Sequence, residues 1–225
     1  MVNKNIFVAC DLSSQKEVLK LLSKIHKEIS GIKIGLQYIT QNSPENIKEL
    51  NKYKIPIFYD GKFFDIKNTL IESIKSLKKL KVSFATVHLL NGLEALKAAN
   101  KVAKNINIKL LGVSVLTSFD NNELKRLGFK NEVKAQVLKL IKIADKANLY
   151  GVICSPHEVK IIKKFAPKLK CFTPGIRLNK NKNDQKRTMT AQRALLEGSD
   201  CLIIGRPITK GDPKKNLKKI LSSIN

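Results

Sequence analysis

The sequence predicts an α/β protein with the TIM (β/α)8 barrel fold. Short apolar segments alternate about eight times with longer segments of helical period, and polar residues recur where the short segments end. The chain has 225 residues, of which 43% are hydrophobic, and this length is just inside the usual range for one barrel. No linker interrupts the pattern, so we expect residues 1–225 to form a single domain.

The candidate strands are short, apolar and rich in β-branched residues. They lie at residues 6–11, 31–37, 55–60, 84–88, 109–116, 151–155, 170–174 and 201–205. The segments of helical period between and after them lie at 17–29, 66–80, 93–104, 132–147, 157–165, 190–197 and 213–224. About eight βα units favour a closed barrel over an open doubly wound sheet. The sequence contains neither the glycine motifs of dinucleotide and P-loop sites nor the G-x-S-x-G motif of hydrolases.

Polar or charged residues stand at or just past the end of each candidate strand. They are Asp11, Lys33, Asp60, His88, Thr117, Ser155, Thr173 and the pair Gly205-Arg206. Active sites of this fold are built from the loops at the carboxyl ends of the strands. The pattern therefore predicts that these residues converge on one mouth of the barrel.

The net charge of +25 raises the hypothesis of a nucleic-acid partner. The basic residues are mostly lysines spread along helical stretches, a spacing typical of solvated helix faces. A mutational bias toward Lys, Ile and Asn would produce the same composition. We therefore predict neither a nucleic-acid partner nor a membrane partner, and interpret the basic segment 214–221 as the last barrel helix.

The four cysteines lie in apolar, strand-like segments, at positions 10, 154, 171 and 201. They form no CxxC pair and have no histidines at metal-ligand spacing, so we expect buried, reduced thiols and no metal site. The N-terminal apolar stretch is too short for a signal peptide, and no later run reaches membrane-spanning length. These features predict a soluble, cytoplasmic protein.

Charged residues cluster where the third candidate strand meets its loop. Asp60, Lys62 and Asp65 follow an apolar run, and Lys33 interrupts the second strand. Opposite charges about 4 Å apart hold each other ionised, since each such pair contributes about 4 kcal/mol at an effective dielectric constant of 20. Lys62 should therefore remain a cation, which suits a proton donor to a carbanion better than a Schiff-base nucleophile. The pattern therefore predicts that Lys62 is a general acid, surrounded by the charges of Lys33, Asp60 and Asp65.

Two glycine-containing loops follow the seventh and eighth candidate strands. Gly175 and Gly205 allow backbone N–H groups to approach an anion, and Arg177 and Arg206 offer forked, charged donors. TIM barrels often bind phosphate at this place, so a phosphorylated substrate is predicted. The polar segment 178–187 begins at the first of these loops, and the sequence leaves open whether it is a closing lid or an ordinary loop.

Over essentially its whole length the chain resembles the orotidine 5′-phosphate decarboxylase family. The motifs that carry this resemblance are Val8-Ala-Cys-Asp11, Lys33-Ile-Gly35, Asp60-x-Lys62-x-x-Asp65-Ile-x-Asn-Thr69, Thr86-Val-His88, Val115-Leu-Thr-Ser118, Thr173-Pro-Gly-Ile-Arg177, Asp184-Gln-Lys-Arg187 and the segment 198–209 ending in Ile-Gly-Arg-Pro-Ile-Thr. The string D-x-K-x-x-D-I-x-N-T together with I-G-R-P-I-T is highly specific.

The resemblance implies decarboxylation of orotidine 5′-phosphate to UMP without a cofactor, in pyrimidine biosynthesis. Lys62 would protonate C6 of the pyrimidine as carbon dioxide leaves. Asp60 would lie against the substrate carboxylate. Lys33 would complete the charge network and contact the ribose.

The resemblance also implies the groups that bind the rest of the substrate. Ribose hydroxyls would be bound by Asp11, the pyrimidine by Thr117 and Ser118, and the phosphate by Arg177, Gln185, Gly205 and Arg206. Asp65 and Thr69 would reach into the active site of a partner, which implies an obligate homodimer with shared sites.

The chain departs from the common bacterial form of the family at three positions of this motif and in one loop. Gly61, Phe64 and Lys67 replace residues that are commonly Leu, His and Pro, and residues 89–92 replace a loop usually richer in glycine. No departure removes a charged group of the array. The changes bear on dimer packing and loop rigidity more than on the chemistry.

Two alternatives remain at this point. The Mg²⁺-dependent 3-keto-L-gulonate 6-phosphate decarboxylases and hexulose-6-phosphate synthases resemble the same motif, but they carry a metal-binding glutamate where this chain has Lys33. A lysine there would repel Mg²⁺, and Gln185 also argues against that group. The other alternative, a basic nucleic-acid-binding barrel, would need arginines and aromatic residues gathered into one stripe.

Overall fold

Eight parallel strands form a closed barrel in sequence order, with β8 paired to β1. This computed structural model describes residues 5–177 and 187–224. The strands are β1 Ile6–Ala9, β2 Gly31–Gly35, β3 Ile57–Phe63, β4 Phe84–His88, β5 Lys109–Val113, β6 Gly151–Ile153, β7 Lys170–Thr173 and β8 Cys201–Ile204. The predicted TIM barrel is thus confirmed. All eight candidate strands are present, several of them shorter than expected.

Helices surround the barrel and shield the outer faces of the strands. They are α1 Gln15–Ile25, α2 Leu36–Gln41, α3 Pro44–Leu50, α4 Lys67–Ser76, α5 Leu93–Asn105, α6 Asn121–Arg126, α7 Val133–Lys146, α8 Val159–Phe165, α9 Ala191–Leu196, α10 Arg206–Thr209 and α11 Pro213–Ser222. Short 3₁₀ turns lie at His26–Glu28, Asn51–Tyr53, Leu77–Leu80, Leu89–Asn91 and Pro156–Glu158. None of the helices in the described ranges is long and apolar enough to cross a membrane.

Four of these helices were not predicted from the sequence. They are α2, α3, α6 and α10, which have four to seven residues each. Such short helices contain too few turns to display a periodic apolar face. The helix α2 also corrects the predicted second strand, because the chain turns helical at Leu36.

The interior of the barrel is filled with aromatic side chains. The rings of Phe7, Phe58, Phe84 and Phe172 lie with centroids 5.4–6.3 Å apart, mostly edge to face or tilted. Because side chains alternate along a strand, the residues two positions further on point to the same interior, nearer the carboxyl ends. Strand β3 thereby places Asp60 above Phe58. The aromatic layer forms an apolar floor beneath a layer of polar residues.

Strand β3 is irregular where it approaches the mouth. Its pairing with β4 runs from Tyr59 opposite Ala85 to Phe63 opposite Val87, so three residues of β3 face one residue of β4. Within this bulge Lys62 has a φ of 47°, in the left-handed region that non-glycine residues seldom occupy. The bulge extends β3 past its predicted end at residue 60 and carries Lys62 over the mouth of the barrel.

Candidate active site

A cavity of about 540 Å³ opens at the carboxyl ends of the strands. Its volume lies within the range of small-ligand sites. The predicted site residues that line it are Asp11, Lys33, Asp60, Lys62, Thr117, Gly175, Arg177, Gly205 and Arg206. Apolar side chains from β1, β3, β5, β6 and β8 form part of its wall, among them Phe58, Val113 and Ile203. The cavity therefore combines a charged end, an arginine-rich end and an apolar wall.

The charged end is an ion-pair array centred on Asp60. Its Oδ2 atom lies 3.0 Å from Lys33 Nζ and 2.9 Å from Lys62 Nζ. Lys33 Nζ also lies 3.3 Å from Asp11 Oδ1, so Asp11 takes the fourth place that the sequence had suggested for Asp65. The side chains of Lys33 and Asp60 are only 11% and 9% exposed, whereas that of Lys62 is 36% exposed. Lys62 is thus the ammonium group most open to the cavity.

The array determines the ionisation of its members. Burial is the largest single influence on Asp60 and would raise its pKa, but Lys33 and Lys62 together outweigh it and hold the pKa below its usual value. Burial likewise works against the charge of Lys33, yet Asp60 and Asp11 together raise the pKa of this ammonium group. Both groups therefore stay charged at neutral pH.

A close backbone approach at Gly35 makes room for this array. A Cβ atom at that position would lie 2.9 Å from Asp11 Oδ1 and 3.2 Å from Lys33 Nζ. A side chain there would push apart the ion pair between Lys33 and Asp11. This packing explains why the Lys33-Ile-Gly35 motif combines a lysine with a glycine two residues later.

The arginine-rich end is built by the loops after β7 and β8. Gly175 has a φ of 83°, which favours glycine at the turn that leads to Arg177. Arg206 follows Gly205 directly at the start of α10. The two arginines line the same cavity as the ion-pair array.

A buried ion pair supports the loop that carries Thr117. Arg187 donates to the carbonyl oxygens of Leu116 and Thr117, at 3.1 and 3.4 Å, and its Nη1 also pairs with Glu158. Glu158 is 4% exposed and accepts a 2.9 Å hydrogen bond from the backbone N–H of Ser155. Burial raises the pKa of Glu158 and outweighs the opposing effect of Arg187. The loops after β5 and β6 are thereby joined through Arg187.

Several predicted residues lie away from the cavity. Asp65 and Thr69 are exposed beyond the end of β3, and within residues 5–177 and 187–224 Asp65 has no ion-pair partner. Ser118 is exposed and does not line the cavity, although its neighbour Thr117 does. Gln185 lies outside the described residues, as does the segment 178–186 that contains it.

The expected convergence of all eight strand ends is also corrected. His88, Ser155 and Thr173 do not line the cavity. His88 Nδ1 accepts from the backbone N–H of Leu90, and burial lowers the pKa of this histidine. Ser155 is the N-cap residue of the 3₁₀ turn Pro156–Glu158, and Thr173 is fully buried. The side chains of His88 and Ser155 thus make local hydrogen bonds, whereas the Thr173 hydroxyl bonds to that of Ser199.

Thr86, for which the sequence predicts no role, contacts the array directly. Its Oγ1 donates to Asp60 Oδ1 at 2.9 Å and accepts from the backbone N–H of Lys62 at 2.8 Å. The residue is fully buried. The available signal was its position two residues after Phe84, which places both side chains on the same interior face.

Comparisons with known proteins agree with this geometry. Residues 4–220 match the family model described as orotidine 5′-phosphate decarboxylase / HUMPS. The chain is 37% identical over 221 residues to the orotidine 5′-phosphate decarboxylase of Wolbachia pipientis subsp. Culex pipiens, with 97% of this chain and 98% of the relative covered. It is 41% identical over 210 residues to that of Legionella pneumophila strain Lens, with 91% and 92% covered.

A solved structure extends the similarity to three dimensions. The crystal structure of orotidine 5′-phosphate decarboxylase from Lactobacillus acidophilus matches with a TM-score of 0.86 and 32% identity, and 99% of each chain is covered. The family resemblance found in the motifs is thus confirmed by both sequence and fold. The chain belongs to the orotidine 5′-phosphate decarboxylase / HUMPS family.

Proposed function

We propose that this protein is an orotidine 5′-phosphate decarboxylase, a carboxy-lyase of pyrimidine biosynthesis that converts orotidine 5′-phosphate to UMP. The observation that carries the proposal is the array in which Asp60 holds Lys33 and Lys62 at 3.0 and 2.9 Å, inside a cavity that also contains two arginines. Family membership and relatives named for this activity at 37–41% identity support the same conclusion.

The array supplies the chemistry that decarboxylation at C6 requires. The bond between C6 and the carboxylate breaks, carbon dioxide departs, and the electron pair remains on C6. The Lys62 ammonium then donates a proton to C6 and is reprotonated from water. Lys33 and Lys62 are already bound to Asp60, so the charges that stabilise the carbanion are in place before the reaction begins.

Asp60 contributes through its position against the substrate carboxylate. Its carboxylate is buried and ionised, so a second carboxylate nearby is repelled until it leaves as neutral carbon dioxide. The proposed ribose contacts are Asp11 and Lys33, and the proposed pyrimidine contacts are Thr117 and the neighbouring Ser118. Thr117 has support from its place in the cavity wall.

The phosphate is proposed to bind at the arginine-rich end of the cavity, to Arg177, Arg206 and the backbone of Gly205, together with Gln185 from the undescribed segment. Binding energy from a remote phosphate can be used to organise the reacting end of the site. Enzymes at the upper end of catalysis lower the barrier by roughly 23 kcal/mol. A lowering of this size needs binding energy from parts of the substrate that do not react, such as the phosphate.

Lys33 distinguishes this proposal from the Mg²⁺-dependent branch of the family. Its ammonium lies between the carboxylates of Asp11 and Asp60, at 3.3 and 3.0 Å. The positive charge that balances these carboxylates is therefore supplied by the protein. A divalent cation at the same place would be repelled by Lys33.

We also propose a homodimer in which Asp65 and Thr69 of each protomer complete the active site of the other. Both residues are exposed. Four of the seven large apolar side chains exposed in the described part of the chain follow the ends of β2, β3 and β4, namely Leu36, Phe64, Ile66 and Leu90. An apolar group of this kind beside two exposed polar site residues supports a protein contact there.

We further propose that the chain forms a single domain and works in the cytoplasm. Strands from both ends of the chain close one barrel, which supports a single domain over residues 1–225. The four cysteines are buried as free thiols, a state usual for cytoplasmic proteins, so we propose that the enzyme works in the cytoplasm.

Ultraviolet absorbance with orotidine 5′-phosphate in EDTA tests the proposed function. Conversion to UMP without added cofactor is the expected result. No turnover in EDTA, with activity on a keto-acid sugar phosphate once Mg²⁺ is restored, would move the protein to the sister branch of its family.

A further inference from the structure

We propose that Thr86 is a positioning residue, whose single hydroxyl sets both the carboxylate of Asp60 and the backbone that presents Lys62. This inference rests on the proposed decarboxylase function. It assigns a role to a residue that contacts the catalytic pair without lining the cavity.

The bulge in β3 creates the need for such a residue. Between the pairs Tyr59–Ala85 and Phe63–Val87, Thr86 is the one residue of β4 that faces the bulged segment. The backbone N–H of Lys62 donates to the Thr86 hydroxyl oxygen at 2.8 Å. A side chain thus accepts the hydrogen bond at a point where the regular ladder is broken, and it holds Lys62 at its φ of 47°.

The same hydroxyl fixes the orientation of Asp60. A threonine hydroxyl has one proton, and because Oγ1 accepts from Lys62, that proton is directed to Asp60 Oδ1 at 2.9 Å. The other oxygen, Oδ2, binds both ammonium groups. The two carboxylate oxygens therefore have separate partners, and rotation of the carboxylate would break one set of contacts or the other.

This arrangement predicts an effect on chemistry more than on binding. Thr86 is fully buried beneath the array, whereas the arginine-rich end of the cavity is built by the loops after β7 and β8. Loss of the hydroxyl should let Asp60 and Lys62 shift relative to the reacting carbon. Misplacement by about 1 Å is enough to cost about 10²-fold in rate.

The experiment compares Thr86→Val, which keeps the branched shape, with Thr86→Ser, which keeps the hydroxyl. We expect kcat for orotidine 5′-phosphate to fall about 10²-fold in Thr86→Val and to be largely retained in Thr86→Ser. The Kd for UMP should stay within about threefold in both variants, because Thr86 does not line the cavity. Thr173→Val is the matched control. Thr173 is also fully buried, but its hydroxyl bonds to the hydroxyl of Ser199 and does not contact the array.

Hydrogen exchange of the Lys62 amide gives a second measurement that needs no turnover. The amide should be protected in the wild-type protein and in Thr86→Ser, and should exchange faster in Thr86→Val. Equal protection in all three proteins, or an unchanged kcat in Thr86→Val, would overturn the inference. If Thr86→Val does not fold, a tenfold or greater loss of kcat in Thr86→Ser would overturn it instead. A wild-type protein that leaves orotidine 5′-phosphate unchanged would refute the proposed function, and the exchange data would still decide the role of Thr86.

Discussion

The ionisation of Asp60 is decided by two opposing effects, burial and ion pairing. Burial removes water from the carboxylate, which favours the neutral acid, and the neighbouring ammonium groups favour the anion. The net result is a lowered pKa. A carboxyl group of this kind stabilises the fold above its unfolded pKa of about 4, and the contribution is lost as the pH falls through the folded pKa.

Replacement of Asp60 by Asn should therefore be most destabilising near neutral pH. We expect a loss of about 3 kcal/mol in the free energy of unfolding at pH 7, because Lys33 keeps a buried charge with one partner fewer. The difference from the wild type should begin to shrink below about pH 4, where Asp60 takes up a proton in the unfolded chain, and it should vanish as the pH falls through the lowered pKa of the folded protein.

Urea unfolding from pH 3 to pH 7 measures this difference. Asp145→Asn on the exposed side of α7 is the control, and it should change the free energy of unfolding by no more than about 0.5 kcal/mol. A difference between wild type and Asp60→Asn that grows toward acid pH would mean that burial, and not ion pairing, determines the pKa of Asp60.

The ammonium of Lys62 is expected to be essential because, of the two ammonium groups in the array, it is the more exposed, at 36% against 11% for Lys33. Lys62→Ala should lower kcat by at least about 10⁴-fold, the upper end of general acid catalysis, with little loss of stability. Lys97→Ala is the matched control, since Lys97 also pairs with a carboxylate, Glu94, at 3.2 Å but on an exposed helix surface. Steady-state kinetics of both variants would show the contrast; near-normal turnover by Lys62→Ala would remove it from the role of acid.

The loops after β5 and β6 illustrate how one side chain can hold two elements in place. Arg187 bonds the carbonyl oxygens at 116 and 117 and also pairs with the buried Glu158. Glu158 in turn completes the capping box at Ser155. The cavity wall at Thr117 therefore depends on a contact formed 70 residues further along the chain.

We predict strong coupling between Arg187 and Glu158. Arg187→Met should lower the free energy of unfolding by about 3 kcal/mol, because it leaves a buried carboxylate without its charged partner. Adding Glu158→Gln should recover part of this loss, with a coupling energy of about 1–3 kcal/mol. Urea unfolding of the two single variants and the double variant measures the cycle, and strictly additive losses would contradict the predicted coupling.

Exposed apolar side chains are grouped on one part of the surface, whereas the positive charge is spread over the molecule. The lysines that dominate the net charge of +25 are spread over many helices, whereas Leu36, Phe64, Ile66 and Leu90 lie near the ends of neighbouring strands. Phe64 is 62% exposed and its ring packs at 5.5 Å from that of His88. Phe64 thus adds to the apolar surface next to Asp65.

Phe64→Glu should therefore shift the protein toward monomers and reduce turnover, since Asp65 and Thr69 would no longer reach a second site. Sedimentation velocity and steady-state kinetics at matched concentrations measure both effects. Leu196→Glu is the control, because Leu196 is 75% exposed on α9, outside the β2–β4 group. A Phe64→Glu variant that remains dimeric, or a monomer with full activity, would contradict the proposed shared site.

The local sequence was sufficient for the order of strands and most helices, because alternation and helical period are imposed by the nearest neighbours along the chain. It was also sufficient for the charged residues of β2 and β3, since charge is conspicuous in an apolar strand. The place of Asp11 beside Lys33, in contrast, depends on which side chains face each other across the barrel. The tertiary structure alone decided this pairing, as it decided that Asp65 stands outside the array and that Thr86 stands beneath it. The physical reason is that a bulge, a ring of strands and a buried hydroxyl fix distances between residues more than 20 positions apart, which no short-range pattern encodes.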